Sequence, residues 1–212
     1  MSKRLWTLCL WLTALTVHGQ GLQRADASQQ ASMVQRISQA SAAVTALDCR
    51  FTQVKTLHFL NDRLTSQGRM RFDARGKLRW EYLQPYQYVF VLNGQQVGIK
   101  STTSRQTIDI SQSRLFQTIA RVMMNSVTGK NLTTSADFTC VMYTGHNEWQ
   151  AHLTPKRKEL KKMFKDIRLH FSTDRQMVTR VDMTEPSGDT TVITLHDVKT
   201  NPKIDEALFA MP

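Results

Sequence analysis

The clearest structural signal in the chain is Arg69–Pro85, which reads Arg-Met-Arg-Phe-Asp-Ala-Arg-Gly-Lys-Leu-Arg-Trp-Glu-Tyr-Leu-Gln-Pro. Large apolar side chains alternate with charged ones on both sides of the turn Ala74–Lys77, and this period of two is typical of β-strands. Because successive side chains of a strand point to opposite faces, the pattern predicts an antiparallel strand pair with one apolar face. That face consists of Met70, Phe72, Leu78, Trp80 and Tyr82.

Further strand patterns flank this pair and are separated by short breaks of Gly, Asn and Pro. Asn93-Gly94 is the strongest of these turn signals. The short connections indicate an antiparallel meander of about eleven strands, which is large enough to curl. The predicted strands are Cys49–His58, Leu64–Asp73, Lys77–Leu83, Tyr88–Leu92, Gln95–Lys100, Arg105–Ile110, Phe138–Thr144, Glu148–Leu153, Lys165–Ser172, Gln176–Thr184 and Thr190–Asp197.

Two helices are predicted to cover the sheet. The first spans about Asp26–Leu47, where Asp26 and Gln29 form a capping box and apolar residues from Met33 to Leu47 recur at helical spacing. The second begins after Ser113 and ends near Gly129. This order predicts an α+β fold, in which helices form a lid over the apolar cavity of an unclosed, curved antiparallel β-barrel.

The amino terminus has the layout of a secretory signal. Lys3 and Arg4 precede an apolar run of about thirteen residues, which is short for the roughly twenty that a membrane-spanning helix needs. Val17 and Gly19 are small residues at the −3 and −1 positions of a cleavage site. A membrane anchor is the alternative interpretation. We expect residues 1–19 to be removed and residues 20–212 to form one exported domain.

The chain is strongly basic, with a formal net charge of +11, of which the predicted signal carries two positive charges. Such a charge favours anionic membrane surfaces or acidic protein patches as partners, and export argues against nucleic acid. The most basic run is Lys156-Arg157-Lys158-Glu159-Leu160-Lys161-Lys162, followed by Lys165. It is either a solvated loop or a docking patch for an anionic bilayer or an acidic partner.

The sequence holds no recognisable catalytic or metal-binding constellation, so we do not expect an enzyme or a cofactor. The histidines are scattered, and Asp73, Glu81 and Asp182 fit the outer faces of strands. After removal of the signal two cysteines remain, Cys49 and Cys140, which either pair in an oxidising compartment or stay as buried thiols.

Apolar side chains from the sheet and the second helix could meet in the enclosed space. Neighbouring methionines make adaptable walls that suit a flexible ligand, and each buried methylene of an acyl chain contributes about 0.8 kcal/mol. An ordinary core is the alternative for each residue. The candidate lipid-binding residues are Met70, Phe72, Trp80, Tyr82, Phe90, Phe116, Ile119, Met123 and Met124.

Several motifs together resemble the LolA family of periplasmic outer-membrane lipoprotein carrier proteins. They include Phe51-Thr-Gln53, Ser66-Gln-Gly68, Leu78-Arg-Trp80-Glu-Tyr82-Leu-Gln-Pro85, Asn93-Gly94, Leu153-Thr-Pro155-Lys156, Gly188-Asp189-Thr-Thr-Val-Ile, Asn201 and Phe209. The chain departs from the family at Phe209-Ala-Met-Pro212, where some members continue into a further strand.

The resemblance implies a monomeric periplasmic chaperone without cofactor. It would take acylated lipoproteins from an inner-membrane, lipoprotein-releasing ABC transporter and pass them to an outer-membrane acceptor or membrane surface. It also implies an arginine that latches the lid, for which Arg75 is the nearest counterpart and Arg79 the second candidate. A carrier of free lipid or glycolipid on the same fold is the alternative function.

Overall fold

The computed structural model describes residues 21–60, 62–111, 117, 120–122, 124–125, 128–129, 132 and 136–212. The strands are β1 (Gln23–Arg24), β2 (Ala46–Leu57), β3 (Asp62–Asp73), β4 (Lys77–Gln84), β5 (Tyr88–Asn93), β6 (Gln96–Ser101), β7 (Arg105–Asp109), β8 (Phe138–Thr144), β9 (Glu148–Pro155), β10 (Asp166–Ser172), β11 (Val178–Thr184) and β12 (Thr190–Thr200). The helices are α1 (Ala27–Ala42), α2 (Lys158–Lys161) and a 3₁₀ turn at Glu206–Phe209. Residues 117, 120–122, 124–125 and 128 are also helical. The predicted signal, residues 1–19, lies outside the described residues.

All twelve strands form one antiparallel sheet in the order β1-β8-β9-β10-β11-β12-β2-β3-β4-β5-β6-β7. Strands β1 and β7 are its two edges, so the described strands form an unclosed barrel, which confirms the predicted fold class. The additional strand is β1, whose two residues pair with β8 and are too few to show a period in the sequence. Within the initial strand pair Met70 faces Trp80 and Phe72 faces Leu78, as the alternation predicts.

The core lies between the inner face of the sheet and the helices. Met33 and Ile37 of α1 join Met70 and Trp80 in one buried apolar cluster. The amino end of α1 has the predicted capping box, since Asp26 accepts from the backbone N–H of Gln29 and the Gln29 side chain accepts from that of Asp26. Among the described residues no helix is both long and apolar enough to cross a bilayer.

The carboxyl end of α1 differs from the prediction. The helix stops at Ala42, and Leu47 belongs to β2, although its apolar spacing continues that of the helix. Asn201 produces the break: its side chain accepts from the backbone N–H groups of Thr45 and Ala46 and donates to the carbonyl of Ala43. A side chain more than 150 positions away thus supplies the partners that end the helix.

The C-terminal segment, residues 201–212, runs across the outer face of β4 to β6. Asn93 donates to the carbonyl of Phe209 at 3.2 Å, and the Phe209 ring is fully buried. Gly98 makes room for the end of this segment, because a Cβ atom there would overlap Pro212 and lie 2.9 Å from Sδ of Met211. Residues 209–212, where the sequence departs from the family pattern, therefore pack on the barrel.

The connections between strands alternate between two ends of the sheet. Connections 57–62, 84–88, 101–105, 155–166 and 184–190 form what we call the β2–β3 end. Connections 73–77, 93–96, 144–148 and 172–178 form the opposite, β3–β4 end.

Candidate functional site

The inner face of β2 to β5 carries a cluster of aromatic rings. Phe51 packs against Trp80 with ring centroids 4.4 Å apart, and it meets Tyr82 edge-on at 5.2 Å. Tyr88 extends the cluster, with its ring 5.9 Å from that of Tyr82. Aromatic pairs in such geometries add stability and large apolar area. We call Phe51, Trp80, Tyr82 and Tyr88 the aromatic cluster.

A glycine lets the aromatic cluster form. Gly68 lies opposite Phe51 on β3, and a Cβ atom there would stand 2.5 Å from Cζ of the Phe51 ring and would overlap the carbonyl oxygen of Glu81. The ring therefore lies directly on the backbone of β3. Phe51 was not among the candidate residues, although the Phe51-Thr-Gln53 motif and its period of two could have placed Phe51 and Gln53 on this face.

Two polar atoms belong to the aromatic cluster. The Tyr82 hydroxyl donates to Oε1 of Gln53 at 2.9 Å, and burial raises the pKa of this phenol. The indole Nε1 of Trp80 is buried and forms no well-aligned hydrogen bond with the described residues, although it lies close enough to the Tyr82 hydroxyl to act against the rise in the pKa of that phenol. Since an unpaired buried donor is costly, Trp80 presents an N–H group able to bind an acceptor that enters this apolar site.

Helix α1 covers the inner face from the side of β8 and β9. The backbone N–H of Met142 donates to the Gln30 side chain at 3.2 Å, and the Arg36 guanidinium stacks 4.7 Å from the ring centroid of Trp149. The Ser41 hydroxyl donates to the carbonyl of Thr128. A shallow groove of about 350 Å³, open to solvent, lies beside α1 and is lined by Ser28, Gln29, Ser32, Met33, Thr144 and Trp149.

The structure brings the predicted sheet residues together. Met70, Phe72 and Trp80 are buried in the core, while Tyr82 and Phe90 are partly buried against it. Met124, from the predicted second helix, packs against the same core. The remaining candidates, Phe116, Ile119 and Met123, lie outside the described residues.

The two candidate latch arginines contact the C-terminal segment. Arg75 bonds Asp73 through Nε at 2.9 Å and forms an ion pair with Glu206. Arg79 pairs with Glu81 at 3.0 Å and donates to the carbonyl of Leu208 at 3.3 Å. None of these described contacts involves α1, so the latch role stays a prediction.

Cys49 and Cys140 are free thiols, so the disulfide that the sequence allowed is absent from the structure. They lie on β2 and β8, which are not neighbours in the sheet. Burial raises the pKa of Cys49 to about 12 and that of Cys140 to about 11, which keeps both protonated and unreactive.

A polar cluster on the outer face of β9 to β11 was not anticipated from the scattered histidines. His170 lies between two carboxylates, with Nδ1 3.1 Å from Glu148 and Nε2 3.2 Å from Asp182, which also binds Arg180. Burial acts to lower the pKa of His170, but the hydrogen bonds to Asp182 and Glu148 outweigh it and leave the pKa above its usual value. The sequence predicts that three carboxylates lie on the outer faces of strands. In the structure each of them forms an ion pair: Asp73 with Arg75, Glu81 with Arg79 and Asp182 with Arg180.

These features define an open antiparallel barrel with an aromatic inner face and a helix packed over it. The sequence profile described as outer membrane lipoprotein carrier protein LolA matches residues 42–212, and the chain belongs to this family.

Two related sequences agree with this assignment, and one solved structure shares the fold. The chain is 30% identical over 176 residues to an outer-membrane lipoprotein carrier protein of Nitrosomonas europaea, covering 81% of this chain and 76% of that protein. It is 25% identical to a protein of the same description from Chromohalobacter salexigens, covering 86% and 84% of the two chains. An uncharacterised conserved protein from Thermus thermophilus shares the fold with a TM-score of 0.52 at 10% identity, covering 87% of this chain and 95% of that one.

Proposed function

We propose that this protein is a periplasmic carrier that binds the acyl chains of lipoproteins released from the inner membrane and delivers them to the outer membrane. The observation that carries the proposal is the aromatic cluster on a covered inner face, with a buried Nε1–H of Trp80 that forms no well-aligned hydrogen bond with the described residues. Membership of the LolA family and the carrier descriptions of its relatives support the same role.

The proposed mechanism is non-covalent and needs no cofactor. Acyl chains displace α1 from the inner face and take over the apolar contacts of Met33 and Ile37. The chains gain about 0.8 kcal/mol for each methylene removed from water, offset by the loss of those helix contacts. Trp80 Nε1 then donates to a carbonyl oxygen of the lipid, which gives the site one polar contact that orients the cargo.

The proposed cycle has two membrane steps. An inner-membrane ABC transporter releases the acylated lipoprotein to the carrier, which travels as a monomer and unloads at an outer-membrane acceptor or at the membrane surface. We include the predicted latch: Arg75 or Arg79 holds the lid closed. Hydrogen exchange of α1 should be faster in the corresponding one of R75Q and R79Q, and unchanged exchange in both variants would contradict the latch.

Identification of the bound cargo tests the proposal directly. The mature protein should be purified from cells and its co-purified molecules weighed by mass spectrometry. Acylated lipoproteins are expected, whereas free lipid or glycolipid alone would favour the alternative cargo. Depletion of the protein should also retain lipoproteins in the inner membrane, and unchanged sorting would refute the carrier function.

Ligand entry into the aromatic cluster can be followed separately. The mature chain contains Trp80 and Trp149, so W149F leaves Trp80 as the single indole reporter. Its emission should shift when an acylated peptide is added and should not shift with the same peptide lacking the acyl group. No response to the acylated peptide would indicate that Trp80 is ordinary core.

A further inference from the structure

Exposed apolar side chains concentrate at the β2–β3 end of the sheet. Of the six large hydrophobic residues exposed in the described chain, five lie on strands or connections at this end: Phe59, Leu60, Leu64, Leu83 and Tyr86. Phe59 is 95% exposed and Tyr86 is 80% exposed, so these rings have almost no contact with the barrel. Single exposed apolar residues are ordinary, but such a concentration marks an interaction surface.

The connection that carries Phe59 and Leu60 projects beyond the neighbouring strand β4. Pairing between β3 and β4 starts only at Gln67, so Asp62–Ser66 extends past the end of β4 by about 16 Å at the usual rise per residue. On its other side the connection is fixed, because the backbone N–H of His58 donates to Asp189 at 2.8 Å. We call Phe59 and Leu60 the apolar tip.

The most basic segment of the chain reaches the same end. Lys158, Lys161, Lys162 and Lys165, which we call the basic turn, are all exposed on the connection between β9 and β10. Leu160 is buried and anchors this turn to the barrel. Among the described residues none of the four lysines forms an ion pair, whereas the neighbouring Glu159 pairs with Arg157.

We propose that the β2–β3 end docks on the surface of an anionic phospholipid bilayer. The apolar tip enters the headgroup region, where aromatic side chains are favoured, and the basic turn neutralises lipid phosphates. Because the tip projects, its apolar side chains can insert between lipid headgroups. The four lysines form no ion pair among the described residues, so they can bind the phosphates of an anionic surface.

This inference names the membrane partner of the proposed carrier. It rests on the carrier function only for its biological use, because docking does not involve the aromatic cluster. The inference also specifies the orientation of the barrel on the membrane. The α2 helix and the β2–β3 connection face the lipid, and the turn at Gly76 faces away from it.

The test is co-sedimentation of the purified mature protein, free of cargo, with vesicles. One set contains phosphatidylglycerol and phosphatidylethanolamine, and the other contains phosphatidylcholine alone. The wild-type protein should partition about tenfold or more in favour of the anionic vesicles. The paired substitutions F59S/L60S and K161E/K162E should each weaken binding to anionic vesicles about tenfold.

Matched controls come from the opposite end of the sheet. Leu22 is an exposed apolar residue next to Gly145, and Lys203 is an exposed lysine close to Asn201. The variants L22S and K203E should therefore bind as the wild type does. Thermal unfolding of every variant separates a lost surface from a lost fold.

Three results would overturn the inference. They are absence of wild-type binding to anionic vesicles, equal binding to both vesicle types, and equal losses in the control and test variants. Acyl-peptide binding by Trp80 fluorescence is unaffected by any of these results, so failure of docking and failure of the carrier function are distinguishable.

Discussion

Replacement of Trp80 by Phe distinguishes a ligand-binding indole from a structural one. The substitution keeps an aromatic ring beside Phe51 and removes Nε1, a buried donor that forms no well-aligned hydrogen bond with the described residues. It therefore changes the polar group of the aromatic cluster with little change in the packing.

Two effects on stability oppose each other in W80F. Loss of the larger ring leaves a cavity on the order of 40 Å³, which at about 24 cal/mol per Å³ destabilises the fold by ~1 kcal/mol. Removal of an unsatisfied buried donor stabilises it by ~1–3 kcal/mol. The free energy of unfolding should therefore stay within about 1 kcal/mol of the wild-type value or rise by ~1–2 kcal/mol.

Affinity for the cargo should change in the opposite direction. If Nε1 donates to a lipid carbonyl, its loss should weaken acyl-peptide binding by a factor of about 5 to 10, the worth of one hydrogen bond. Urea unfolding measures the stability, and isothermal titration with an acylated peptide measures the affinity. The variant L78V, which shortens a neighbouring buried side chain, is the control for general loosening of the core. Unchanged affinity in a folded W80F would refute the role of the indole as a ligand donor, whatever its stability.

Three further substitutions test other parts of the structure. G68A should destabilise the barrel by about 2–3 kcal/mol in urea unfolding, since its methyl group collides with Phe51, and wild-type stability would contradict the packing. G98A should push Pro212 off the outer face, which predicts faster hydrogen exchange of the C-terminal segment without a matching fall in the melting temperature of the barrel. H170Q should remove the pH dependence that His170 gives to the free energy of unfolding. Because the folded pKa of His170 is raised, its stabilisation is present below the unfolded pKa of about 6.5 and is lost as pH rises through the folded value. The wild-type advantage of about 1 kcal/mol near pH 6 should disappear by about pH 8 in parallel urea titrations, and equal pH profiles would exclude this role.

The strands were readable from the sequence because their signal is local. The structure has β8 at the predicted Phe138–Thr144, and β4, β5 and β12 begin at the predicted residues. The apolar face of Arg69–Pro85 also lies where a period of two puts it. Side chains two positions apart share a face whatever the rest of the chain does. The same reasoning selected the sheet candidates that the structure places in or against the core, but it did not select Phe51.

The end of α1 could not be found in this way. Val44 and Leu47 fit both a continued helix and a new strand, and neither Gly nor Pro interrupts the chain between them. The choice depends on Asn201, whose side chain reaches the backbone at Thr45 and Ala46 because β12 pairs with β2. The residue that ends the helix therefore lies far away in the sequence, and the residues around Ala42 give no sign of it.

What the sequence determined by itself is the presence of β2 to β12, the apolar side of the Arg69–Pro85 strand pair and the membership of the LolA family, since these depend on spacing along the chain. Tertiary structure alone decided which side chains meet. It placed Phe51 on Gly68 against Trp80, left the indole Nε1 without a well-aligned hydrogen bond to the described residues and turned both candidate latch arginines toward the C-terminal segment. It also collected Phe59, Tyr86 and the basic turn at one end of the sheet, because antiparallel pairing brings every second connection to the same end.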